Sequence, residues 1–420
     1  MGIQRATVVI IGGGHNGLAM SKRLTDRGID HVVLEQADVA DSWRNQRWDS
    51  FTLLTPNWQT KLPGAAYEGD DPDGFTDRAG IVGFLEDYSR RVDAPVRSNT
   101  RVVAVRPADD GYQVETDDGT WGCQCVVLAA GANRLPSVPA FAEALPAHVL
   151  SVNPLAYRHP DELPLGGVLV VGAASTGIQL AEEIHASGRP VTISVGEHVR
   201  MPRTYRGRDI QHWMEAIGRL DERYDEIEEI LRARAVASPQ LVGTPDRRTV
   251  DLNRLTDAGV QVRGRVGAIR DGVALFSGGL TNHCALADQK LDRLLDEIDT
   301  WIDEHGDGDV APSERFDRTR LPADAPLSLD LGKGEINAVV WATGFRPDLS
   351  WLELPVFDGS GRLRHDGGVV DAPGLYYLGA TFLRRRKSSF IHGAEDDTAD
   401  LADHLEQHVR RPGGQRLVPT

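Results

Sequence analysis

Two glycine-rich turns, 160 positions apart, constrain this chain more than any other feature. The first, Gly12-Gly13-Gly14-His15-Asn16-Gly17, follows the apolar run Thr7-Val8-Val9-Ile10-Ile11. The second, Gly172-Ala173-Ala174-Ser175-Thr176-Gly177, follows Val168-Leu169-Val170-Val171. A strand that ends in such a turn and enters an amphipathic helix is the βαβ signature of a dinucleotide site. Its first glycine makes the tight turn, its second lets backbone approach a pyrophosphate, and its third lets the helix pack on the sheet. The helix start then offers unpaired N–H groups and a positive dipole end to the phosphates. Glu35 lies 23 positions beyond Gly12, after His31-Val32-Val33-Leu34, where a carboxylate accepts hydrogen bonds from ribose hydroxyls, and Gln36 follows it. Two such units predict an α/β chain with two Rossmann-type domains and two dinucleotides, a tightly held flavin (FAD) beside an exchangeable nicotinamide.

The second turn departs at one position, because Ala174 stands where the second glycine is expected. Ser175, Thr176 and Gln179 open the following helix and complete the nicotinamide-side set. After the next strand, Val191-Thr192-Ile193-Ser194-Val195, no carboxylate follows directly; Arg200, Arg203, Arg206 and Arg208 do. A missing acid with a guanidinium cluster is the pattern that accepts a 2′-phosphate, which favours NADPH over NADH. A solvated basic loop and Glu197 acting as a displaced NADH acid are the alternative readings.

The order along the chain reads as one dinucleotide domain interrupted by another. Residues 1–152 and 325–420 form the expected FAD-binding domain, and residues 153–324 the inserted NADPH-binding domain with extra helices. Within the first lie a helix near 81–91, a strand at 100–105, a hairpin turned at Asp117-Asp118-Gly119, returning strands at 338–341 and 375–378, and a closing helix at 395–410. Within the second, residues 209–237 read as one charged helix with Ile210, Trp213, Met214, Ile217 and Leu220 as its apolar stripe, and 285–304 as another. These helices are compatible with a homo-oligomer or with covering a substrate entrance. Such an arrangement puts the two cofactors face to face across an interdomain cleft.

Composition narrows the partners. A length of 420 residues is ample for two domains, and the net charge of −16 argues against nucleic acid or a broadly membrane-seeking surface. No apolar run reaches a membrane span, the first strand begins almost at once, and Ala6 stands where myristoylation needs Ser or Thr; a cytoplasmic protein is expected. Only three cysteines occur, none before Cys123, so the redox-active pair of disulfide reductases has no counterpart in the first βα region. Cys123 and Cys125 read as packing residues sharing one strand face.

Further residues carry a family resemblance. They are the first turn with Glu35; Ser42-Trp43, then Leu53-Leu54-Thr55-Pro56-Asn57 and Leu62-Pro63; Ala130-Gly131 with Pro136 and Pro139; the second turn; and Ala342-Thr343-Gly344-Phe345. Together these resemble the single-component flavin-containing monooxygenases, including the plant indole-pyruvate monooxygenases, over nearly the whole chain. The identifying stretch between the domains is degraded, since Asn153-Pro154-Leu155-Ala156-Tyr157 keeps only the final aromatic, and the asparagine of the animal-type enzymes aligns with Leu54.

The resemblance implies an FAD- and NADPH-dependent monooxygenase acting through a C4a-(hydro)peroxyflavin on dioxygen and a small-molecule nucleophile: an amine, thioether or activated carbonyl; an NADPH-dependent flavin reductase or oxidase without oxygen insertion and a non-catalytic flavin-binding sensor are the alternative readings. It places Asn57, Trp58 and Gln59 as catalytic residues, and Ser42, Trp43, Pro56, Val103, Ala130, Gly131, Thr343, Gly344, Phe345, Ser388 and Ser389 against the cofactors. No metal site is expected. Trp43 and Trp58 read equally as core aromatics. His15 reads as flanking the phosphates rather than as a catalyst. Arg384-Arg385-Arg386-Lys387 reads either as a solvated run or as facing an acidic ligand or a neighbouring subunit.

Overall fold

The computed structural model describes residues 2–306 and 310–410. Its framework is two parallel sheets, each built on one glycine turn. In the first, five strands run parallel in the order Leu375–Tyr377, Cys125–Leu128, Val8–Ile11, His31–Leu34 and Val96–Arg97, with two short antiparallel strands extending one edge. The second is fully parallel, in the order Leu150–Val152, Ile336–Trp341, Gly167–Val171, Val191–Val195 and Gln261–Gly264. Both central strands, Val8–Ile11 and Gly167–Val171, are buried throughout, as helix-covered parallel strands must be.

One returning strand and the end of the 1–152 segment depart from the expected layout. Leu150–Val152 and Ile336–Trp341, placed from sequence in the first unit, pair with each other in the second sheet, and Ile336–Trp341 lies directly beside Gly167–Val171. An apolar run marks a buried parallel strand but not which sheet receives it. The expected helix over 209–237 is also broken. Ile210–Ala216 is helical, Gly218 takes a left-handed φ of 72°, and only the short helix Ile230–Arg234 follows a single 3₁₀ turn. Ile210, Trp213, Met214 and Leu220 nonetheless pack together, against Leu291, Leu295 and Ile298 of the long helix Leu280–His305. Cys123 and Cys125 do not share a face. They belong to separate strands, Gly119–Cys123 and Cys125–Leu128, and pack into different hydrophobic clusters.

The two turns are near copies in backbone geometry. Residues Gly14 and Ala174, which precede the two helices His15–Asp26 and Ser175–Ala186, have φ/ψ of −81°/−176° and −78°/−176°. Neither conformation demands glycine, and a Cβ built on Gly14 meets nothing within 4 Å, so alanine in the second turn costs the fold nothing. The last glycine is different. A Cβ on Gly177 would sit 1.9 Å from the Gly172 carbonyl oxygen, and one on Gly17 the same distance from that of Gly12. Gly177→Ala is therefore expected to cost about 1–3 kcal/mol or to prevent folding, as an overpacked core contact does. Gly14→Ala should cost less than about 1 kcal/mol of stability and weaken FAD uptake instead. Urea unfolding of both variants with a parallel FAD titration checks the contrast.

Candidate functional site

The helices that follow the two turns begin at one cavity of about 770 Å³. Neither helix has a side-chain cap, so their first N–H groups remain free for an anion. Gly12, Gly14, His15 and Asn16 line one part of the cavity and Ser175, Thr176 and Gln179 another. Between them lie Glu35, Gln36, Ser42, Trp43, Val103, Ala130, Gly131, Phe345 and Ser389, all anticipated from sequence. Gly17, Gly172, Ala174 and Gly177 shape the turns without lining the cavity.

Glu35 is fastened to the first turn. Its Oε2 accepts the Gly13 N–H at 2.6 Å and its Oε1 accepts the Ala37 N–H at 3.2 Å. Burial pushes the carboxyl up, and these two donated hydrogen bonds oppose the shift. His15 is a neutral neighbour. Burial lowers its pKa to about 4, and its Nε2 lies 2.8 Å from the Asn16 side-chain nitrogen. The imidazole thus adds no positive charge to the first turn at neutral pH.

The expected catalytic trio is not at the cavity. Asn57 is buried and spent on its own loop: its Nδ2 donates to the Asp71 carbonyl at 2.9 Å and its Oδ1 accepts the Thr76 hydroxyl at 2.6 Å. Gln59 is buried with neither amide atom hydrogen-bonded, and Pro56 and Trp58 also stand away from the cavity wall. The segment just before them, Phe51, Thr52, Leu53, Leu54 and Thr55, forms the wall instead. The resemblance pointed to the right loop but to the wrong residues, because its turn at Asn57 faces the Pro- and Asp-rich loop. Thr343 and Gly344 hold the return crossover: the Thr343 hydroxyl donates to the Ser137 carbonyl at 2.6 Å, and Gly344 accepts the Ser137 N–H at 2.9 Å. Ser388 is fully buried and locks a turn by accepting the N–H groups of Arg384 and Arg385.

The guanidinium cluster also requires correction. Arg200 donates to Asp251 at 2.8 Å, to Asp288 at 2.9 Å and to the Asp317 carbonyl at 2.6 Å, and it is 6% exposed. Arg203 pairs with Asp209, donates to the Leu54 carbonyl at 2.7 Å and lies over the Phe75 ring. Arg206 pairs with Asp299 at 3.0 Å. These side chains tie the inserted helices to their sheet, and withdrawing one would leave a buried carboxylate uncompensated. Arg384, Arg385, Arg386 and Lys387 are likewise committed, to Asp397, Asp400, Glu222, Asp221 and Asp396, so each of the four cations has a carboxylate partner within the chain.

Sequence reasoning missed Arg47, Arg101, Arg134 and Trp351, which also line the cavity. Arg47 carries a faint signal: it stands four positions after Trp43, and its guanidinium lies 5.0 Å from the centre of that ring. No cysteine lines the cavity. Cys123, Cys125 and Cys284 are buried and unpaired, and burial pushes each thiol up to about 12, so none is a thiolate nucleophile.

This double-turn geometry agrees with a profile match. The pyridine nucleotide-disulphide oxidoreductase profile covers residues 9–237, more than half of the chain. The chain belongs to that family. It is similar to an uncharacterised CzcO-like oxidoreductase of Geobacillus kaustophilus, with 29% identity over 96% of this chain and 98% of that one. It is also 29% identical to indole-3-pyruvate monooxygenase YUCCA6 of Arabidopsis thaliana, over 47% of this chain and 50% of the relative. A solved flavin-containing monooxygenase from Stenotrophomonas maltophilia shares the fold at a TM-score of 0.68 and 17% identity, covering 97% of this chain and 99% of that chain. The chain is thus an oxidoreductase with the fold of two-domain flavoprotein monooxygenases, and the resemblance read from its motifs holds. No helix among the described residues is long and apolar enough to cross a membrane.

The lowered pKa of His15 has a sign. An unfolded histidine takes up its proton near 6.5, whereas the folded one resists until about 4. Stability from this residue is therefore complete above pH 6.5 and lost as the pH falls from 6.5 towards 4, on the order of 3 kcal/mol in all. In the apo-protein, His15→Asn should gain on wild type over that window and only there, as read from urea midpoints at pH 8, 6 and 5.

Proposed function

We propose that this protein is an FAD-dependent, NADPH-consuming monooxygenase that transfers one oxygen atom from dioxygen to a small-molecule nucleophile: an amine, a thioether or an activated carbonyl. The observation that carries the reading is the meeting of both glycine turns at one cavity that contains no cysteine. The first turn suits FAD. Gly14 leaves open space for a pyrophosphate, the helix start supplies N–H donors, and Glu35 stands where ribose hydroxyls need an acceptor. The second turn suits the coenzyme pyrophosphate, with Ser175 and Thr176 at the helix start and Gln179 one turn on.

Bound there, the flavin supplies hydride acceptance and oxygen activation, and the chain supplies orientation and dryness. Phe345 and the Phe51–Leu54 wall bring apolar surface to the space between the two turns, which excludes water from a reactive centre. The neutral His15 and the fastened Glu35 position cofactor groups, and no acid–base dyad is needed. Incubation of the enzyme with NADPH and ¹⁸O-labelled dioxygen, over a panel of amines, thioethers and ketones, tests the reading. One label atom per product molecule is expected; NADPH consumption with label only in hydrogen peroxide or water would make the protein an oxidase.

For the coenzyme preference, the structure offers a different residue from those the sequence suggested. Gly196 follows the strand Val191–Val195, and the Arg265 side chain crosses it, its aliphatic atoms 3.4–3.7 Å from where a Gly196 Cβ would lie. Arg265 is exposed and has no ion-pair partner among the described residues. We assign it the 2′-phosphate. Arg265→Glu should raise KM for NADPH about tenfold or more with little change for NADH, since attraction becomes repulsion only for the phosphorylated coenzyme; initial rates with both coenzymes decide it.

A further inference from the structure

The segment 43–50, which touches the helices after both turns, carries a cation with no ion-pair partner among the described residues. Trp43 stands 6.5 Å from the His15 ring at the first turn, and Ser50 donates at 2.9 Å to Glu183 on the helix that follows the second. Between these anchors lies Arg47, which borders the cavity. Its guanidinium rests against the rings of Trp43 and Phe51, 5.0 and 5.7 Å from their centres, and its Nη1 donates to the Gln46 carbonyl at 2.8 Å.

The carboxylates of the surrounding chain are engaged elsewhere. Asp49 pairs with Arg78 at 3.1 Å, Asp41 accepts the Asn45 amide at 2.6 Å, and Glu183 holds Ser50. Among the described residues, none forms an ion pair with Arg47. Burial depresses even this strongly basic group, to about 10. A desolvated guanidinium is normally matched by an anion, and its planar fork fits two oxygens of one oxyanion.

We propose that Arg47 anchors an oxyanion of the ligand that enters the cavity beside the flavin, either the carboxylate of an organic acid substrate or the pyrophosphate of the nicotinamide coenzyme. This rests on the function proposed above and deepens it. If the anion is the substrate's, the apolar body beside it meets Trp43, Phe51 and Leu54, so the substrate class is a carboxylic acid with an apolar or aromatic body.

The test is equilibrium binding to the holoenzyme, wild type against Arg47→Met and Arg47→Lys, read from the flavin absorbance. The probes are NADP⁺, inorganic pyrophosphate, and the matched pair phenylacetate and phenylacetamide. Methionine keeps the apolar stem against the two rings and removes the charge, and the flavin content and Tm of each variant confirm that it is folded. A loss of tenfold or more confined to phenylacetate assigns the anion to the substrate, and the same loss for NADP⁺ and pyrophosphate assigns it to the coenzyme. In either arm lysine should restore part of the affinity. Wild type that binds none of the three anions, or an Arg47→Met protein that binds all of them as wild type does, overturns the inference. Pyrophosphate titration of apo-protein by tryptophan emission keeps the two readings separable. Protein that takes up no FAD sinks the proposed function, whereas charge-dependent quenching would still report on Arg47.

Discussion

The contact between the last glycine of each turn and the carbonyl of the first is the constraint on which the rest of this structure depends. With 1.9 Å between the Gly177 Cβ position and the Gly172 oxygen, and the same at Gly17 and Gly12, only hydrogen fits. That closeness seats each helix on its sheet and brings its uncapped N–H groups to the cavity. Both helix starts are thereby fixed by close backbone contact rather than by long side chains. The middle position faces open space and tolerates alanine, so Ala174 and Gly14 hold the same backbone.

Charge serves a second purpose, away from the cavity. The chain carries 62 acidic and 46 basic residues, and the extra helices of the second unit draw on this surplus of acids for internal pairing. Arg200 and Arg203 are buried among Asp251, Asp288 and Asp209, and Arg206 meets Asp299. Such pairs add little net stability over an apolar core, but they are costly to break, and so they fix how the insertion sits. The same logic marks Arg47 as different, because it has a cavity where the others have a carboxylate.

Much of the site was legible in the sequence wherever function depends on local backbone. The turns, Glu35, Trp43, Ala130, Gly131 and Phe345 all meet at the cavity, since spacing along a βαβ unit dictates their positions. Asn57, Trp58 and Gln59 were misplaced because they follow a loop whose direction is set by Asp71 and Thr76, and no local pattern carries that information. The arginines after Val191–Val195 looked free because their acidic partners lie up to 93 positions away. Ile336–Trp341 was recognisable as a buried strand, yet its sheet was not, since parallel neighbours are joined through distant chain.

Sequence alone therefore determined that this chain has two dinucleotide turns, an α/β architecture and no reactive cysteine pair near the first turn. Those properties follow from steric demands within a few residues of one another. Tertiary structure alone decided which wall faces the cavity, which guanidiniums are consumed by carboxylates, and that Arg47 is left facing it. A charge acquires its role from whatever the fold places within about 4 Å of it, where Coulomb interaction is strongest, and that neighbour is chosen by packing over the whole chain.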